Sequence, residues 1–165
     1  PEASKVISTM EKHCVHYNCV GIVAHNIGFD VGTLDKYVPA DSPLRDLEMV
    51  DTLHLARRLF DDAENHKLGT LCEHFELESD GFVGEYHSAG YDVAQTVELF
   101  KLILTRLYDV DSFEKLMVYH DTPMKREIMG FGKYKGCKIK DIPPYYIQWL
   151  HTIDLDIDMK FTLGL

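Results

Sequence analysis

Two aspartates and one histidine have the types and positions that metal-assisted hydrolysis requires. Asp30 follows an apolar run and opens a segment of helical spacing, whereas Asp92 lies near the start of the strongest helical pattern. His87 precedes Asp92 by five residues, in a glycine-rich stretch. Two carboxylates can bridge divalent metal ions, a bound metal lowers the pKa of a water molecule, and an imidazole can accept its proton. Because histidine titrates at about pH 6.5, His87 suits the role of base near neutrality.

Each of these residues also has an ordinary structural interpretation. An aspartate at a helix N-terminus most often caps the helix or interacts favourably with its dipole. A single histidine in a loop is usually a solvated residue. From spacing alone, the sequence therefore predicts an α/β domain that could hold a metal ion, and the structural alternative stays open.

Apolar periodicity predicts the elements that must position these residues. Residues 19–24 form a continuous apolar run, typical of a central strand covered on both faces, and residues 47–50 predict a second short strand. Asp51 and Thr52 offer N-cap oxygens to a helix after that strand. A long helix is predicted over about 89–108, with an apolar face made of Val93, Thr96, Val97, Phe100, Ile103, Leu104 and Leu107.

Composition narrows the class of protein. The chain has 165 residues, of which 45% are hydrophobic and 27% are charged, as in ordinary globular domains. No apolar run is long enough to span a membrane, and four scattered cysteines fit reduced thiols in a cytosol. A zinc site made of His13, Cys14, His16 and Cys19 does not match the usual ligand spacings. The net charge of −10 disfavours nonspecific wrapping of nucleic acid, although bound metal or a basic patch could meet a polyanion locally.

The C-terminal part has a different character. Residues 125–140 hold six basic residues and one acidic residue, and glycines at 130, 132 and 136 predict a β-hairpin with a return strand over 138–140. A last helix opens at the two prolines, with Tyr146, Trp149 and Leu150 predicted to point inward. We therefore expect a main domain over about 1–110 and a small basic module over about 120–158. Lys133 and Lys135 could bind nucleic acid beside a stacking Tyr134, or could be a solvated face.

Two stretches resemble motifs of the DnaQ-like 3′–5′ exonucleases. Residues 24–30, AHNIGFD, resemble the second motif, and residues 87–96, HSAGYDVAQT, resemble the third motif of the DEDDh branch. They occur in the family's order, with a strand-turn-helix unit between them. Residues 131–136, FGKYKG, and 146–150, YIQWL, resemble a small module attached to some members, including the exonuclease X branch.

The resemblance implies a ribonuclease H-like α/β fold, in which a mixed sheet is flanked by helices. It implies that Asp30 and Asp92 are two of four metal-binding carboxylates and that His87 is the general base. Asn26 and Phe29 fall on motif positions that shape the turn and bind substrate. Such an enzyme holds two Mg²⁺ or Mn²⁺ ions and releases nucleoside 5′-monophosphates from a nucleic acid 3′ end.

The likeness to the exonuclease X branch favours DNA over RNA as the substrate. The scattered cysteines and the lack of a long apolar run predict a cytoplasmic protein without a membrane partner, and a homodimer stays open. Two alternatives remain: a non-catalytic nucleic-acid-binding or regulatory protein on the same fold, and an oligoribonuclease-like RNA exonuclease.

One departure from the family concerns its first motif, D-x-E, which supplies the other two carboxylates. Only Glu2 and Glu11 are acidic before Asp30, and neither has an aspartate two residues earlier. We therefore expect that the N-terminal strands of the domain are missing from this chain. Because two carboxylates cannot hold a normal pair of metal ions, this chain alone is predicted to be inactive or nearly so.

Overall fold

The computed structural model describes residues 2–60, 62–78 and 88–165, in which the apolar segments form eight α-helices and two short β-strands. Contacts between residues divide the chain into two units, residues 1–117 and 118–165. Among the described residues, no helix combines the length and the apolar character needed to cross a membrane.

The first unit alternates strands and helices. Along the chain its elements are α1 (Ala3–Tyr17), β1 (Gly21–Ala24), α2 (Ile27–Leu34), a 3₁₀ turn (Pro43–Asp46), β2 (Glu48–Asp51), α3 (Thr52–Leu59), α4 (Leu68–His74), α5 (Ala89–Arg106) and α6 (Phe113–Asp121), which ends beyond the division between the units. The α/β class predicted from the sequence is confirmed at this level.

The two strands pair in parallel, with Gly21 opposite Glu48 and Ala24 opposite Asp51. Parallel strands need a crossover between them, and α2 lies in the connection from β1 to β2. Every residue of β1 is half-buried, so the prediction of a strand fully covered on both faces is wrong for the described residues. Gly21 permits a close approach of α6, because a Cβ at this position would lie 2.8 Å from Cζ of Phe113.

The buried face of α5 differs from the predicted one. Gln95, Leu99 and Ile103 are buried, whereas Val93 and Val97 are 63% and 46% exposed. The buried face is set by α3 and α4, both of which pack against α5. Gln95 is tolerated there because its amide donates to the Tyr91 hydroxyl (3.3 Å). Among the residues predicted for the apolar face, Ile103 is thus fully buried, whereas Val93 and Val97 face outward.

The second unit is built on two short helices and two 3₁₀ turns. In chain order these elements are the turns Gly132–Tyr134 and Ile139–Asp141, then α7 (Pro144–Leu150) and α8 (Ile157–Leu163). One cluster of buried side chains forms its core, namely Met129, Ile142, Tyr146, Leu150, Leu155 and Met159. This core is continuous from the first turn to α8.

The predicted hairpin strand is absent from this part of the structure. Residues 138–140 form no return strand, since Ile128 and Lys138 make only an isolated antiparallel bridge and a 3₁₀ turn begins at Ile139. The chain still folds back on itself, because the Met129 amide donates to the carbonyl of Cys137 (2.9 Å). Positive φ angles at Gly132 (68°) and Gly136 (82°) curl the backbone between these points, which ends any extended pairing.

Gly132 is required by both conformation and space. Besides its positive φ, a Cβ at this position would collide with the hydroxyl of Tyr146. That hydroxyl accepts a hydrogen bond from the Lys133 amide (3.3 Å). Tyr146 and Leu150 are buried as predicted, but Trp149 is 45% exposed, so its predicted place in the core is wrong. The residue faces outward because Tyr146 and Leu150 already fill the inner face of α7.

A buried ion pair fastens α8 to the segment that precedes the glycine turns. The Asp158 carboxylate is fully buried and accepts from the Met124 amide (2.8 Å) and the Arg126 guanidinium (3.2 Å). The Arg126 amide donates to the Thr162 hydroxyl (2.8 Å), which in turn donates to the carbonyl of Asp158 (2.7 Å). Residues 124–126 are therefore held to α8 by three hydrogen bonds.

Candidate active site

Asp30 lies in the first turn of α2, with its side chain exposed. The residue at the N-cap is Asn26, in the left-handed conformation (φ 66°), and no side chain caps the helix. Asp30 helps to line a small, mostly apolar cavity of about 90 Å³ between α2 and the sheet. Among the described residues its carboxylate has neither an ion pair nor a hydrogen bond. Asp30 therefore does not cap α2, although capping was one of the structural roles expected for it.

The turn before α2 is tied to the end of the neighbouring strand. Asp51 Oδ1 accepts from the Asn26 amide (2.9 Å) and also from the Leu53 amide (2.9 Å), which caps α3. One carboxylate therefore fixes the carboxyl ends of both strands. The sequence indicated only the capping half of this role.

His25 fastens the same turn from the other side. Its Nε2 lies 2.9 Å from the carbonyl oxygen of His66, and its Nδ1 lies 3.0 Å from the Thr52 hydroxyl. Because a carbonyl can only accept, Nε2 bears the proton and donates. Burial lowers the pKa of His25 below its usual value, against the opposing effect of the His66 carbonyl. The neutral imidazole thus holds in place the turn within the second motif.

Asp92 lies in the first turn of α5 but is not its N-cap. That role belongs to Ser88, whose hydroxyl accepts from the Tyr91 amide (3.3 Å). The Asp92 side chain is half-buried, and within the described ranges no ion pair or hydrogen bond engages its carboxylate. A favourable interaction with the helix dipole remains. His87, the predicted base, lies outside the described residues.

Both helices that bear these aspartates pack against β1. Carboxylate oxygens are the donors that Mg²⁺ prefers, so Asp30 and Asp92 fit that ion by chemistry. However, in residues 2–60, 62–78 and 88–165, no three Asp, Glu, His or Cys side chains come together as a metal site. The described residues thus supply isolated carboxylates rather than a complete set of ligands.

The predicted substrate-binding residues are placed in both units. Phe29 is 75% exposed in the first turn of α2, next to Asp30. In the second unit Lys133 and Lys135 are exposed, and the Lys133 ammonium lies 5.5 Å from the ring centre of Tyr134. Tyr134 is half-buried, with its hydroxyl 2.6 Å from that of Tyr145. Tyr145 was not singled out from the sequence. The signal was available, because two adjacent tyrosines on a helix cannot both point inward, and one of the two rings must then face outward.

A family model described as an exonuclease matches residues 3–100, more than half of the chain. The chain belongs to the DnaQ-like 3′–5′ exonuclease family. A second model, described as a putative quorum-sensing-regulated virulence factor, matches residues 122–155. The exonuclease match includes the two motifs around Asp30 and Asp92, and it confirms the resemblance identified from them.

Three similar proteins are DNA polymerases III of the PolC type. The one from Bacillus cereus is 32% identical over 165 residues, which are 99% of this chain and 10% of that protein. The one from Bacillus subtilis is 36% identical over 105 residues, 61% of this chain and 6% of that protein. The one from Streptococcus suis is 31% identical over 128 residues, 77% of this chain and 8% of that protein. The chain thus spans a tenth or less of the length of these relatives, and no solved structure matches it significantly.

Proposed function

We propose that this chain is part of a metal-dependent 3′–5′ exonuclease that hydrolyses the terminal phosphodiester of DNA and releases nucleoside 5′-monophosphates. The observation that carries the proposal is the pair of uncommitted carboxylates, Asp30 and Asp92, in the first turns of two helices packed on one strand. Both lie in the region that matches the exonuclease family.

Each predicted residue has a distinct role in this reaction. Asp30 and Asp92 would hold Mg²⁺ or Mn²⁺, which supplies an acidified water and charge stabilisation at the phosphate. His87 accepts the proton of the attacking water at an imidazole nitrogen. Asn26 shapes the turn through its backbone, and the exposed ring of Phe29 offers a surface for the terminal nucleotide.

In the second unit, Lys133, Tyr134 and Lys135 bind the nucleic acid. The ammonium groups contact phosphates, and the tyrosine ring offers a face to an unpaired base. DNA is proposed over RNA as the substrate on the likeness to the exonuclease X branch. Release of products from matched short DNA and RNA strands separates this proposal from an oligoribonuclease-like activity.

The two remaining metal ligands, we infer, come from a D-x-E strand outside this chain. Two features of the first unit support this. Among the described residues β1 pairs only with β2, so its other edge is open to a further strand. The valines at 93 and 97 also leave an apolar strip of α5 exposed. The 165-residue chain by itself should then be inactive or nearly so.

A nuclease assay on the intact gene product tests the assignment. We expect divalent-metal-dependent release of nucleotides, lost by at least about a hundredfold in Asp30→Asn and Asp92→Asn, because each removes a charged metal ligand. Asp35→Asn is the matched control, since Asp35 ends α2 in an exposed ion pair with Arg45 (3.1 Å). Full activity of Asp92→Asn would overturn the site, and metal-dependent release by the 165-residue chain would overturn its predicted inactivity.

A second candidate is a non-catalytic nucleic-acid-binding protein on the same fold. It is favoured by the lack of a three-ligand cluster within the part of the chain that the structure describes. The amino-acid sequence that precedes Pro1 in the gene product discriminates the two. A D-x-E on an apolar strand there supports the enzyme, and its absence supports the binding protein.

A further inference from the structure

The outer face of α7 presents two large aromatic side chains to solvent. Tyr145 is 58% exposed and Trp149 is 45% exposed. They are four residues apart, so they are neighbours on one face of the helix. Large aromatic side chains are usually well buried in folded domains, and here the opposite face of α7 already fills the core with Tyr146 and Leu150. The exposed pair therefore calls for a role other than packing.

The rings are held in place by their neighbours. Tyr146 lies beneath, with its ring centre 4.9 Å from that of Trp149 and 4.7 Å from that of Tyr134. The Tyr134 and Tyr145 hydroxyls lie 2.6 Å apart, and the Lys133 amide donates to the hydroxyl of Tyr146. A surface fixed in this way loses little side-chain freedom when a ligand binds.

The charge beside these rings favours a polyanion. Residues 118–165 hold seven basic and six acidic residues, in a chain whose net charge is −10. Two of the acidic side chains, Asp158 and Asp154, are already paired with Arg126 and Lys160. Lys138 and Lys140 are exposed and have no ion pair with any described residue.

The Lys133 ammonium is part of the aromatic surface itself. The hydrogen bond from Tyr134 lowers the pKa of Tyr145 below its usual value, and the nearby positive charge of Lys133 contributes to this shift. The ammonium is also 5.5 Å from the ring centre of Tyr134. Cationic and stackable groups thus share one patch.

We propose that Tyr145 and Trp149 form a stacking surface for the unpaired bases of single-stranded nucleic acid, with Lys133 contacting the phosphates between them. Aromatic faces stack on any base, and flanking ammonium groups follow the backbone, which is how sequence-tolerant single-strand binding works. The inference deepens the proposed function, on which its choice of ligand rests, by adding two binding residues that keep a frayed strand on the protein. It requires no catalysis.

The fluorescence of Trp149 tests the proposal directly, because the chain contains one tryptophan. The 165-residue chain is titrated with an oligothymidylate of about twelve nucleotides, in EDTA and at low salt, so that no metal is present. We expect stacking to quench the fluorescence, and a duplex of equal length to quench it far less because its bases are already stacked. Unchanged fluorescence at low salt in the presence of the oligonucleotide would overturn the proposal. It is the result expected if this surface binds a protein partner instead.

Variants extend the test through the anisotropy of a labelled oligonucleotide. We expect Trp149→Ala and Tyr145→Ala each to weaken binding about tenfold, and Trp149→Phe to retain most of the affinity. Phe161→Ala is the matched control, since Phe161 is equally exposed (54%) on α8 of the same unit. Lys133→Ala combined with Lys135→Ala should flatten the salt dependence of binding. Wild-type affinity in both aromatic variants would refute the stacking role.

The same measurements separate this proposal from the exonuclease proposal. Asp92→Asn should abolish release of nucleotides by the intact gene product but leave the quenching of Trp149 in the 165-residue chain unchanged. Retained activity in Asp92→Asn together with normal quenching would refute the active site and leave the stacking surface standing. Lost quenching together with metal-dependent, Asp92-dependent release would do the reverse.

Discussion

Replacing Asp158 by alanine should lower the free energy of unfolding of the second unit more than any substitution on its surface does. The carboxylate is completely buried, and its removal takes away the acceptor of the Met124 amide and a buried partner of the Arg126 guanidinium. Breaking a buried ion pair from one side costs about 3–5 kcal/mol. Because the Arg126 side chain keeps 15% of its exposure and can recover some water, we expect the lower end, about 3 kcal/mol.

The isosteric change separates charge from hydrogen bonding. Asp158→Asn can still accept from the Met124 amide, so we expect a smaller loss of about 1–2 kcal/mol. Asp154→Ala is the control, because Asp154 is 96% exposed in its pair with Lys160 and such pairs contribute at most about 1 kcal/mol. Urea unfolding followed by Trp149 fluorescence reports on this unit alone. A loss in Asp158→Ala no larger than that in Asp154→Ala would refute the reasoning.

Two further predictions concern the turns of the two units. Because the pKa of His25 is lowered in the folded state, the unfolded chain binds more protons below about pH 6.5, and the free energy of unfolding should fall as pH drops through that value. Urea unfolding followed by circular dichroism at pH 7.5 and 5.5 should show a smaller fall in His25→Gln than in the wild type. An equal fall in the two proteins would contradict this prediction. Gly132→Ala should lower the free energy of unfolding by about 1–3 kcal/mol, because of the positive φ and the collision with Tyr146. Gly130→Ala is the control and should lower it much less, since a Cβ there meets nothing within 4 Å. Similar urea midpoints for the two variants would count against the collision.

The strand-turn-helix order of the first unit could be read from the sequence because its signals are local. An apolar run followed by a polar turn predicts a strand wherever the rest of the chain lies. Asp30 was found by its place after such a run, and Asp92 by its place near the start of the strongest helical pattern. The face of α5 could not be read in the same way. Its apolar residues surround much of the helix, and the choice of Leu99 over Val93 depends on where α3 and α4 pack.

Long-range polar contacts were also beyond the reach of local patterns. Asp51 was identified as a cap for α3, but its bond to the Asn26 amide joins positions 25 residues apart. The same limit applies to Asp158, which looks like an ordinary first-turn aspartate of a short helix and proves to be a buried partner of Arg126. Periodicity identifies apolar faces, whereas a buried carboxylate is identified only by its partners.

The arrangement around the second motif explains why the carboxylates of Asp51 and Asp30 can serve different purposes. Asp51 Oδ1 accepts hydrogen bonds from two backbone amides and so holds the turn. His25 is neutral and is hydrogen-bonded at both ring nitrogens. Asp30, only four residues after Asn26, receives none of these bonds. In the proposed enzyme, binding of a cation by Asp30 would require neither rearrangement of the backbone nor loss of a bond to any described residue.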